Sequence, residues 1–416
     1  MANKKNTLQV VVGSILILLL IGVTVLLISE KRANNELVQQ AVKEDGKIAL
    51  GYTCYHVPEV LLNLDNCFSV RLRAPRTGSV DIATYYLSPF ICGFAKALLE
   101  RGIEGGYGFL SALFAGETCS EMNRTIEHFE LLRLVDNDKF FVSIFDMPFK
   151  TNDHCVESYA NQMRLKVLDK LKDVYGVDIS DDAMRKAVEL HNRVCRAITA
   201  IGEFRKEENP RITGYEFHVL CLATYCCPKY LIVDKLEETL EELRHREPDQ
   251  KKFYRARIVL VGSEIDDPDF TKLFEDSGAF VCADRYCFGS LPGREEIVLN
   301  DDEDVLTQIC RHYMKTCQCP RYMEHEKVED RRQFVKKLVE DYHADGVVYE
   351  QLKFCEYWGY ERALASYIMT NEFNIPSIAI DRQYTANASG QLRTRIQAFV
   401  ESLEIKHIQK AKKAKE

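Results

Sequence analysis

The stretch Phe109-Leu110-Ser111-Ala112-Leu113-Phe114-Ala115, closed by Gly116-Glu117-Thr118-Cys119, decides the fold. A nearly continuous apolar run ending in a glycine-led turn reads as a buried strand. Glu121 to Leu134 then reads as a helix and Phe140 to Phe145 as another strand. Strands that alternate with helices and are apolar on both faces belong to a parallel sheet. Upstream, Lys47 to Tyr52 and Phe68 to Leu72 read as strands, with Cys54 just past the first. Ser88 to Arg101 reads as a helix with Cys92 in its first turn.

The same alternation returns from Arg257. Ile258 to Val261 is a strand ending in Gly262-Ser263, Pro268 to Asp276 a helix, and Ala279 to Ala283 a strand with Cys287 beyond it. Gly346 to Tyr349 is a strand whose exit loop carries Cys355, and Tyr360 to Asn371, Ser377 to Ile380 and Gln391 to Ser402 close the chain as helix, strand and helix. Between the two units, Val156 to Tyr175, a helix capped at Ser180 and running to Arg205, and Thr213 to Arg246 are helical. The expected class is α/β: two Rossmann- or flavodoxin-like parallel-sheet units with an intervening helical segment. The expected domains are an anchor and linker over 1–46, a first α/β domain over 47–150, the helical segment over 151–250 and a second α/β domain over 251–416.

Leu8 to Ile28 is apolar apart from a few small or polar residues, with Lys4 and Lys5 before it and Lys31 and Arg32 after it. As a helix it spans about 31 Å, close to the thickness of a bilayer core. The expectation is one N-terminal transmembrane helix holding the protein to the membrane. Basic residues at both ends leave orientation open; a labile thiolate site favours a cytoplasmic catalytic body.

The 416 residues carry a net charge of -8, which argues against nucleic acid as a partner. The fifteen cysteines are odd in number and irregularly spaced, unlike a secreted disulfide framework. Cys54, Cys119, Cys287 and Cys355 each follow a predicted strand, and ligands of open parallel sheets bind at the carboxyl ends of strands. Thiolates gathered there suit soft iron–sulfur centres.

At these residues the chain resembles the 2-hydroxyacyl-CoA dehydratase D-component family, whose relatives include benzoyl-CoA reductase subunits and double-cubane cluster proteins. The matching words are Gly51-Tyr52-Thr53-Cys54 with Val57-Pro58-Glu59, Gly116-Glu117-Thr118-Cys119, Leu352-Lys353-Phe354-Cys355 through Trp358-Gly359, and Gly390-Gln391-Leu392 with Arg393, Thr394 and Arg395. The likeness runs from Lys47 to Leu403. It implies a [4Fe-4S] cluster on Cys92, Cys119 and Cys355, and an ATP-hydrolysing activator protein with its own cluster that injects one low-potential electron. It further implies a homologous second subunit or a homodimer, and acyl-CoA as substrate. Where the family often has Asp-Gly and lysines after the second cysteine, this chain has Ser120-Glu121-Met122-Asn123, which puts the substrate in question. Cys54, Cys287, Cys317 and Cys319 stand in family-like places and are candidates for a second cubane, the choice between Cys317 and Cys319 staying open.

Other readings stand beside these. Cys317 and Cys319 with Cys310 and His312 are a zinc alternative, though Cys-x-Cys spacing suits structural zinc poorly. Arg71 and Arg73 are candidates for CoA phosphate, or form a solvated edge. Glu117 and Glu356 adjoin ligand candidates and are candidate proton carriers, or only orient the ligands. No P-loop is present, so ATP hydrolysis belongs to the partner. The leading expectation is an iron–sulfur subunit of an ATP-activated reductase or radical 2-hydroxyacyl-CoA dehydratase. The rivals are a double-cubane reductase of a small molecule without CoA, and an exported, membrane-stalked binding protein with disulfides.

Overall fold

The structure is a computed structural model that describes residues 36–75, 77–248, 254–290, 294–384 and 389–413. Its frame is two four-stranded parallel sheets. The first holds β1 (Ile48–Tyr52), β2 (Cys67–Arg71), β3 (Ala112–Gly116) and β4 (Phe141–Phe145) in the order β2-β1-β3-β4. The second holds β5 (Ala256–Gly262), β6 (Ala279–Tyr286), β7 (Gly346–Leu352) and β8 (Ser377–Arg382) in the order β6-β5-β7-β8. Each sheet repeats the other's order, with its direction of winding reversing between the first and third strands. All five residues of β3 are buried, as a strand covered by helices on both faces must be.

The registers bring the strand ends level. Tyr52 pairs with Arg71 and Phe114, and Gly262 with Tyr286, so the loops leaving β1, β2, β3, β5, β6 and β7 all emerge on their sheets' carboxyl edges. In this class the reversal point is where ligands sit.

The two sheets are joined by the helix Gly214–Cys226, which packs on both β2 and β6. It is apolar all round, which a helix buried on every side requires. Thr213 and Glu216 form a reciprocal capping box at its start. A methyl at Gly214 would lie 2.7 Å from the Val281 carbonyl of β6, so only glycine permits this approach. The expected single helix over 213–246 is in fact two, Gly214–Cys226 and Lys229–His245, because Pro228 disfavours helical backbone at Cys227.

Two helices beyond those expected, Val305–Thr316 and His325–Asp341, fill the span between β6 and β7. The helix expected over Ser88 to Arg101 starts five residues later, at Gly93, so that Cys92 is its N-cap and not in its first turn.

The expected fold class needs one correction. It included a membrane-spanning N-terminal helix, and among the described residues no helix is long and apolar enough to cross a membrane. The stretch from Leu8 to Ile28 lies outside the described residues. The fold is α/β on two parallel sheets, and the membrane helix, with the anchoring it implied, is withdrawn.

Candidate functional site

The carboxyl edges of the two sheets face a cavity of about 150 Å³. Cys54, Cys92, Cys119, Cys287, Cys319 and Cys355 line it together, and each is a half-buried free thiol. Three elements present the first set alike. Cys92, Cys119 and Cys355 are the N-caps of the helices Gly93–Ile103, Ser120–Leu131 and Glu356–Asn371. Cys119 and Cys355 stand three residues past the ends of β3 and β7, the third strands of their sheets. No formal capping bond forms, yet the amides three residues on, of Ala95, Met122 and Trp358, pull each thiol's pKa down against the larger upward push of burial. Helix N-termini aimed at sulfur favour its anionic form.

Cys54, Cys287 and Cys319 reach the cavity from the other side. Amides two residues on, of His56 and Arg321, face Cys54 and Cys319, and Cys287 follows β6 directly. Electrostatic proximity links all six: Cys119 feels Cys92 and Cys54, Cys355 feels Cys92 and Cys119, Cys287 feels Cys319 and Cys355, and Cys319 feels Cys54. Burial raises all six, Cys92 and Cys319 to about 11, so the bare thiols are protonated at neutral pH. A bound cation would reverse that, since coordination deprotonates thiols.

Cys317 is not in this lining. It is buried in apolar core with Tyr322 and Met314, where the Cys319 amide faces its sulfur. The zinc alternative finds no support: among the described residues no three His, Cys, Asp or Glu groups are placed to hold one metal ion. That spacing does not exclude a cluster, whose ligands sit on separate irons and so stand farther apart than ligands on one ion.

The chain reaches Cys355 through a strained turn. Phe354 has φ 69, a left-handed conformation costing a non-glycine residue roughly 1 kcal/mol, and its side chain also lines the cavity.

The arginines expected at a phosphate are placed differently. Arg71 lines the cavity, but its guanidinium bridges the two units: Nε donates to the Thr53 carbonyl at 3.2 Å, Nη1 to the Cys287 carbonyl, and Nη2 pairs with Glu264 at 3.2 Å. Arg73 is buried and donates to the Asp266 carbonyl at 2.8 Å. Neither forms the solvated edge considered above. Glu356 lines the cavity, whereas Glu117 is exposed and does not.

Several lining residues carried no sequence signal beyond their place after a strand. Glu264, past β5, has its carboxyl raised to about 7 by burial, against the pull of Arg71. His56 is held neutral, lowered to about 3 by burial and by Arg321 and Arg71, and its Nε2 has no hydrogen-bond partner among the described residues. Arg321 ties the Cys319 loop to the first unit through the carbonyls of Pro148 at 2.7 Å and Glu117 at 3.1 Å.

A two-sheet α/β protein with a cysteine-lined cleft between its units is the class this geometry defines. The sequence matches the family described as 2-hydroxyglutaryl-CoA dehydratase, D-component, over residues 54–403, and the chain belongs to that family. It is 25% identical over 383 residues to the putative dehydratase subunit YjiM of Escherichia coli (strain K12), covering 90% of this chain and 96% of that one. It is 22% identical over 368 residues to the (R)-phenyllactyl-CoA dehydratase beta subunit of Clostridium sporogenes, covering 88% and 94%. With a benzoyl-CoA reductase subunit of Thauera aromatica the identity is 19% over 322 residues, covering 77% and 81%. The chain is thus a dehydratase-like enzyme subunit.

Proposed function

We propose that this chain is the iron–sulfur subunit of a low-potential reductase or 2-hydroxyacyl-CoA dehydratase, charged with single electrons by a separate ATP-hydrolysing activator protein that carries its own cluster. The observation that carries the reading is the convergence of six free thiols, from six separate segments, on one cavity. The donor set fits the group: soft sulfur ligands, a site shielded between two units, and backbone amides facing the sulfurs. Cys92, Cys119 and Cys355 would hold one [4Fe-4S] cluster. When bound, such a cluster supplies a reversible one-electron carrier of low potential.

The chain's own residues do the rest. Arg71 fixes the two units against each other across the cavity. Glu264, whose carboxyl burial raises to about 7, can give or take a proton at the cavity wall, and Glu356 is a second candidate. Two relatives have names that specify CoA thioesters, phenyllactyl-CoA and benzoyl-CoA, so an acyl thioester is the substrate class on the dehydratase reading, with a homologous subunit or a second copy as the other half.

A second reading, the double-cubane reductase of a small substrate without CoA, is favoured by one observation. Cys54, Cys287 and Cys319 share the cavity with the first triad, and three ligands suffice for one cubane. The disulfide-bearing binder gains no support from free thiols at all six positions. The test is anaerobic purification of the wild type, Cys119→Ala and Cys355→Ala. Both variants should lose iron, and turnover of an acyl thioester by the wild type should need activator and ATP; full iron in both variants would reject the ligand assignment.

A further inference from the structure

A second, smaller cavity lies behind the first. Its volume is about 20 Å³, room for one water, and Tyr55 and Arg71 line both cavities. Its walls carry a buried charge cluster that the proposed function does not use. Glu59 Oε1 meets His191 Nδ1 at 2.8 Å, Glu59 Oε2 meets Lys229 Nζ at 2.9 Å, and His191 Nε2 meets Cys195 Sγ at 3.3 Å. Tyr52, 1% exposed, lines the same cavity with a hydroxyl that has no hydrogen-bond partner among the described residues. A buried hydroxyl without a partner beside a water-sized polar cavity points to a bound water.

We propose that Glu59, His191 and Lys229, with Tyr52 and the water their cavity admits, form a proton store serving the cysteine-lined cavity. The inference rests on reading that cavity as a redox site. Lys229 balances the Glu59 carboxylate, and His191, whose Nδ1 meets the same carboxylate, is the member of the cluster placed to hold one further proton in the interior. The groups facing His191 are Glu59, Lys229, Cys195, Tyr313, Arg294 and His312.

The balance is simple. One electron from a low-potential one-electron donor protein adds a negative charge in the cysteine cavity. One proton leaves the His191 imidazolium, crosses the water, and settles on the cavity lone pair that the added charge has made most basic. One proton from solvent restores the imidazolium, so one electron and one proton are taken up in sum.

Two measurements test this. In the full chain without iron, nitrogen NMR of labelled histidine should show His191 protonated on both ring nitrogens at pH 8, and Glu59→Gln should make it neutral there. A wild-type His191 neutral at pH 7 would overturn the proposal, whatever the cavity binds. In the iron-loaded chain, reduction by electrochemically prepared methyl viologen radical, whose oxidation releases no proton, in weak buffer with a pH indicator should show proton uptake keeping pace with reduction. At unchanged iron content, uptake should lag about tenfold in His191→Gln and in Tyr52→Phe, the latter removing only an unpartnered hydroxyl. Uptake at the wild-type rate in both, or reduction without uptake in the wild type, would overturn it; failure to bind iron would instead reject the proposed function.

Discussion

Replacing Glu59 by Gln tests the buried charge cluster most severely. Glu59 opens a short 3-10 turn after β1 and reaches two other elements, His191 on the helix Asp181–Glu203 and Lys229 at the start of the helix Lys229–His245. All three side chains are at most 8% exposed. Asn63 Nδ2 and Ser69 Oγ donate to the same carboxylate at 2.9 and 3.2 Å, so its oxygens are fully used. An amide in its place can still accept bonds but cannot balance charge. The substitution leaves the Lys229 ammonium without its carboxylate partner. An unpaired buried charge costs about 3–5 kcal/mol, and that is the expected loss of stability at pH 7.

The pH dependence has a definite sign. Burial raises the Glu59 carboxyl, but Lys229 and His191 outweigh it and hold it far below its ordinary value. Its contribution is therefore present above the ordinary carboxylate pKa and is lost as pH falls toward the folded value. The gap between wild type and variant should be complete at pH 7 and narrow below about pH 4.5. Urea unfolding of the full chain at both pH values reads it out. A variant within 1 kcal/mol of wild type at pH 7, or a gap that widens in acid, refutes the reasoning.

Cys319→Ala should lower the iron bound per chain, whereas Cys317→Ala, two residues away in the core, should keep iron and lose about 1 kcal/mol of stability; iron analysis with urea unfolding separates them. Gly214→Ala should destabilise by about 1–3 kcal/mol, because its methyl would press on β6, and thermal unfolding would show it. Burial lowers the His191 pKa, but Cys195 and Glu59 raise it to about 10, so its contribution is complete below its ordinary pKa and fades as pH rises through 10; His191→Gln should flatten that alkaline loss in urea titrations.

Much of the frame was legible because parallel strands are short apolar runs ended by glycine and polar turns. β3 with its Gly116 exit and β5 with its Gly262 exit both announce themselves in this way. The cysteines could be ranked by their places after strands, which singled out Cys54, Cys119, Cys287 and Cys355. The choice between Cys317 and Cys319 could not be read, since it depends on how the end of the helix Val305–Thr316 packs against Tyr322. That the two units share one strand order was hidden too, because the match lies in topology and not in residue identity. Glu264 looks in sequence like an ordinary surface charge, and the partners of Arg71 and Glu59 could not be read, because only tertiary packing buries all three, giving Glu264 its near-neutral carboxyl and the others their ion pairs.

The iron and acid-labile sulfide content of the full chain, purified and reconstituted without oxygen, tests the central claim most directly. Six thiols around one cavity predict about eight irons per chain, and a single cubane on Cys92, Cys119 and Cys355 predicts about four. A colourless chain that binds no iron while all six thiols react with a thiol reagent would contradict the account.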